Sequence, residues 1–138
     1  MSGSIVDKIT EEFTPSKGSN SCAEIASILF KAITDAHITH LLNRDKTLAK
    51  HNAMSIFYDE MPDILDNFVE TYMGLYSITS ITVPASAEIT NAISYFKGIY
   101  DKIEELRKGI KESFLQSSID TIQESIAHTL YRFKNIQS

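Results

Sequence analysis

Tryptophan is absent from this chain of 138 residues, and cysteine occurs once, as Cys22. A single thiol excludes an intrachain disulfide and the stapled scaffolds of small secreted domains, so a reduced compartment is the default. Proline and glycine are scarce, at three and five. So few breakers over this length favour long helices over many short strands. The first residues, Met1 to Lys8, hold no apolar stretch of signal-peptide type. No apolar run is expected to approach the ~20 residues of a membrane span. Positive charge is also short: 13 basic residues stand against 18 acidic ones, for a net charge of −5. That excludes broad nucleic-acid binding, which needs clustered Lys and Arg. It suits a soluble, cytoplasmic protein or one that collects cations.

What is present is helical periodicity. Residues 1–20 read as an N-terminal arm, turn-rich at Thr14 to Asn20, with Ile5, Ile9 and Phe13 able to mark an amphipathic turn or two. Residues 21–138 read as one domain. Its first helix is expected to open on a capping box, Ser21-Cys22-Ala23-Glu24, and to end between Leu42 and Arg44. A second helix, from about Thr47 to Tyr76, carries a seam of Met54, Phe57, Tyr58, Met61, Leu65, Phe68 and Tyr72. Pro62 falls inside it and should bend it. A β-prone run, Ile78 to Val83, ends at Pro84 in what reads as a brief connection. A third helix is expected over about Ser86 to Lys108, with Gly109 terminating it. A fourth opens on a second capping box, Ser113-Phe114-Leu115-Gln116, and continues through Ile119, Ile126 and Phe133. Four seams spell an all-α four-helix bundle. A longer link between the second and third helices is the ferritin-like arrangement.

Metal-type residues gather in one stretch. His37-Ile38-Thr39-His40 is followed by a polar break at Asn43 to Lys46, then His51, then Asp66 and Glu70. Imidazole with carboxylate suits iron, manganese or zinc. With about 100° per residue, Asp66 lies roughly 60° and Glu70 roughly 100° from His51, while the apolar seam centres near 285°. The three then share a face turned away from the core, and a site there gains further ligands only from another subunit. The plainer reading is two polar helices whose terminal histidines complement a helix dipole. Outside this stretch, His128 reads as structural or solvated. Cys22 reads as a small buried residue, although its place at a helix start would favour a thiolate.

The order His37-x-x-His40, a short break, His51, Asp66 and Glu70 resembles the signature of the Dps-like mini-ferritins. Residues 116–133 also resemble the closing helix of that family, and the resemblance spans about residues 24–135. It implies a ferritin-like bundle in a homo-oligomeric hollow shell, dimer-based and commonly a dodecamer, that oxidises iron between subunits and stores it as mineral. His40 and His51 would be ligands from one subunit, Asp66 and Glu70 from the other, with His37 beside the site. The chain departs from the family pattern at Ser55, where an acidic ligand is usual. Asp59, one turn on, is the nearest substitute. Leu41 replaces the usual tryptophan, and the break lacks its usual glycine. Phage-encoded divergent members of the ferritin-like group share this size and such departures. Two functions follow as expectations: an iron-binding mini-ferritin with a ferroxidase weakened at Ser55, or a non-catalytic structural or interaction module with a degenerate metal site. Weak or no nucleic-acid binding and no membrane association are expected of either.

Overall fold

The computed structural model describes residues 18–43, 47–77 and 80–136. Among these, four α-helices follow one another with no strand: α1 Gly18–Leu42, α2 Leu48–Leu75, α3 Ala92–Leu106 and α4 Ser113–Ile136. The all-α expectation therefore holds. A short 3-10 turn, Arg107–Gly109, closes α3. The arm expected over residues 1–20 lies outside the described residues up to Lys17.

The helices pack in a ring: α1 on α2, α2 on α4, α4 on α3, and α3 back on α1, leaving α2 and α3 on a diagonal. Their apolar faces meet in one core, in which Ile25, Leu29, Phe57, Phe68, Phe96 and Ile126 are fully buried. The aromatic rings of Phe57, Phe96 and Phe133 touch in sequence through its centre.

The connection between α2 and α3 positions everything else, and it is not brief. Residues 76–91 cross the length of α1. The Ser27 hydroxyl donates to the Thr82 carbonyl. Further along, the Ala87 N–H donates to Asp35 Oδ1 at 2.9 Å, and the Ile89 N–H to Thr39 Oγ1 at 2.7 Å. Ser27 to Thr39 is about 18 Å of helix, which a near-extended chain from 82 to 89 covers. The crossover thus returns the chain to the end where α2 began, and α2 and α3 run parallel. Of the β-prone run, Ile78 and Thr79 lie outside the described residues, and the rest is extended chain without a strand.

Several expected boundaries are corrected. α1 begins at Gly18, so Ser21 lies inside the helix and the first capping box does not form. α4 begins at Ser113, and the Gln116 amide donates to the Arg107 and Ile110 carbonyls, so the second box does not form either. α3 begins only at Ala92, because Asn91 caps it: its Oδ1 accepts from the Ser94 N–H at 3.0 Å. Residues 86–91 belong to the crossover. α2 continues unbroken through Pro62, whose missing N–H leaves the Tyr58 carbonyl without its usual donor. Gly109 has no left-handed backbone. A Cβ there would lie 3.2 Å from the Ser21 hydroxyl, so the glycine allows close approach to α1. Finally, Asn20–Leu42 is long and apolar enough to cross a membrane by length and composition, with a mean hydropathy of 1.2. Its apolar residues are the ones α1 buries in the bundle, which is why a core helix passes the same test.

Candidate functional site

At the end of α1, Asn43 takes a positive φ of 32° while its N–H donates to the Thr39 carbonyl at 2.8 Å. Asparagine tolerates this left-handed geometry, so it does the work of the glycine whose absence the sequence shows. The reversal sets the last turn of α1 against the first turn of α2. His40 and His51 then stack, with ring centroids 3.6 Å apart and planes at 28°. His40 Nδ1 lies 3.0 Å from the His51 carbonyl oxygen. A carbonyl only accepts, so Nδ1 carries the proton and donates, which assigns the lone pair to Nε2.

Two more rings extend the patch. His37 stacks on Tyr58 at 4.3 Å, and Tyr58 meets His40 edge-on at 5.2 Å. Tyr58 is therefore half-buried against the histidines instead of lying on the core seam. His51, too, is half-buried and turned toward α1, whereas the wheel placed it on the outer face with the carboxylates.

Asp59, Asp66 and Glu70 are exposed on α2. At 1.5 Å per residue, Asp66 is about 22 Å and Glu70 about 28 Å along the helix from His51. One subunit does not bring them to the histidines, and the described residues hold no group of three or more His, Cys, Asp or Glu able to bind a metal. Ser55, where a carboxylate was expected, donates to the Asn52 carbonyl at 3.0 Å. His128 is exposed on α4.

Sequence reasoning missed two polar nodes. Asp35 is 1% exposed. Its carboxylate accepts from Lys31 Nζ at 2.5 Å, the Tyr95 hydroxyl at 2.6 Å and the Ala87 N–H. Burial pulls that carboxyl upward, but the three hydrogen bonds and the Lys31 charge outweigh it and hold it below its ordinary range. The same pairing, after burial, pushes the Tyr95 hydroxyl well up. Arg107 is the second node. It donates to Gln116, Gln123 and Asp120 and joins the end of α3 to α4. The spacing Lys31–Asp35 was the available signal for the first node, but an i,i+4 pair usually marks an exposed face. Cys22 is buried as expected, and burial, with the Glu112 charge second, pushes its thiol up to about 12.

Residues 40–133 match a family described as "Family of unknown function (DUF5856)". An "Uncharacterized 14.6 kDa protein in mobD-ri intergenic region" of Enterobacteria phage T4 is 29% identical over 114 residues, covering 80% of this chain and 86% of that protein. No solved structure matches significantly.

Proposed function

The chain belongs to that family of unknown function, whose match takes in His40, His51, Asp66 and Glu70, and from this premise we propose that it is a divergent, Dps-like member of the ferritin-like bundles. In this reading it binds a divalent metal, iron first, between subunits of a homo-oligomer. The observation that carries it is the His40–His51 pair. Two nitrogens bound at about 2.1 Å to one ion lie roughly 3–4 Å apart, and the ring contact brings the imidazoles within that span. The hydrogen bond from His40 Nδ1 fixes its tautomer with Nε2 as the donor atom, as metal-ligating histidines require.

The parallel course of α2 and α3 supports a ferritin-like arrangement. So does the phage relative for a phage-encoded origin, with a cytoplasmic place of action. Asp66 and Glu70 of a facing subunit complete the ligand set, with His37 at its edge. The donor chemistry, imidazole plus carboxylate, fits Fe(II) and also Zn(II) or Mn(II). Bound iron would supply redox chemistry. These residues would hold and orient it, and the acidic face of α2 would collect cations. A hollow dodecamer storing mineral is what the family resemblance adds.

Ser55 limits the site to one ion, because no bridging carboxylate stands there. Ferroxidase activity would then be slow. That same residue, hydrogen-bonded back to its own helix, favours the second reading: a structural or interaction module with a degenerate centre. Ser55→Asp separates the two. Under the first reading it raises metal stoichiometry and the rate of iron oxidation. If wild type and variant both take up no metal, the interaction module is preferred.

A further inference from the structure

A cavity of about 370 Å³ opens at the end of the bundle where α2 and α3 both begin. That volume lies within the range of small-molecule sites. Its floor is apolar: Met54, Ile89, Ala92 and Phe133. Its rim includes Lys50, His51, Glu88 and Asn91. We propose that this cavity binds a small organic anion, with a carboxylate head at the rim and a short apolar body on the floor.

Four features of the cavity set the sign of the ligand's charge. The crossover makes α2 and α3 parallel, so helices of 28 and 15 residues start side by side here. The positive ends of two helix dipoles therefore meet at one opening. Lys50, in the first turn of α2, adds a full positive charge. Asn91 Oδ1 is already taken by the Ser94 N–H, which leaves its amide NH₂ as a donor. His51 Nδ1 is buried with no hydrogen-bond partner, and a buried unpaired nitrogen calls for one. Glu88 opposes an anion and offsets Lys50, leaving the helix starts and the two side-chain donors to favour the negative head. Met54, Ile89 and Phe133 give a body of a few methylenes a dry surface to lie on.

The inference does not rest on metal binding. The test uses hexanoate, followed by chemical-shift changes in labelled protein. Saturable shifts confined to Met54, Ile89, Ala92 and their neighbours are expected. Hexan-1-ol, the same body without the charge, should bind about tenfold more weakly or worse, the equivalent of losing one good ionic contact. Lys50→Gln should weaken hexanoate about fivefold, and Glu88→Gln should tighten it, by removal of an attractive and a repulsive charge. Ala92→Leu should fill the cavity and abolish the shifts while Zn(II) uptake at His40 is unchanged. That keeps a failure here distinct from a failure of the metal site. Hexanoate without saturable shifts, hexanol binding equally well, or Glu88→Gln weakening hexanoate would each overturn the proposal. The Glu88 variant keeps the test decisive if Lys50→Gln or Ala92→Leu folds poorly.

Discussion

Asp35 holds the crossover onto α1, and its effects belong to a single carboxylate. Asp35→Ala strips the acceptor from Lys31, Tyr95 and the Ala87 N–H, leaving buried donors unpaired. Breaking a buried pair in this way costs about 3 kcal/mol, which chemical denaturation would read. Its pH dependence has a definite sign. The folded-state carboxyl is held below the ordinary 3.8, so its stabilisation is present above that value and lost as pH falls through the lower folded pKa. Wild-type stability should drop in that acidic window, and the Asp35→Ala variant should lack that component. Cys22 gives an independent check on burial. With its thiol raised to about 12, alkylation at pH 8 should proceed only as fast as the chain unfolds. Rapid labelling of native protein would contradict this. The burial of Cys22 was legible from the sequence, as was the approach of His40 to His51 through the family pattern. The role of Asp35 was not, because its burial depends on a segment fifty residues away folding back over it.

At the scale of elements, helix existence was legible and helix ends were not. Periods of 3.6 residues in α1, α2 and α4 survive into the core almost residue for residue. The ends depend on competition for hydrogen bonds. Gln116 matched the sequence pattern of a cap, but Arg107 and the Ile110 carbonyl claim its side chain. Ile89 matched the seam of α3 and is buried, yet it sits in the crossover, where its N–H binds Thr39. The turn between α1 and α2 offers a direct test of element geometry. Asn43→Val should cost about 1–2 kcal/mol, since a β-branched residue resists a positive φ, whereas Asn43→Gly should be neutral or slightly stabilising. Thermal denaturation of the two variants should move in these different directions. Equal behaviour would show that the left-handed turn does not form.

At the scale of the whole molecule, the parallel placement of α2 and α3 was anticipated from the ferritin-like pattern. The length of their connection was underestimated, because an extended segment without periodicity leaves no pattern to count. Nor could the sequence show which residues of α2 face α1 and which face outward. That is why Tyr58 moved from seam to histidine patch. The separation of His51 from Asp66 and Glu70 within one subunit makes assembly part of the account. Sedimentation at micromolar concentration should give an oligomer, and a clean monomer would count against any shared site. Duplex DNA should be released near physiological ionic strength, since the chain carries a net charge of −5. A gel shift persisting there would contradict that expectation. The measurement that bears most directly on the central claim is calorimetric titration with Fe(II) under anaerobic conditions, run on wild type, His51→Ala and the double variant Asp66→Asn with Glu70→Gln. The account predicts one ion per subunit in wild type, and its loss in both variants, although the altered residues lie about 22–28 Å apart along one helix. Wild type that takes up no iron, or a double variant that binds it as wild type does, would contradict a site shared between subunits.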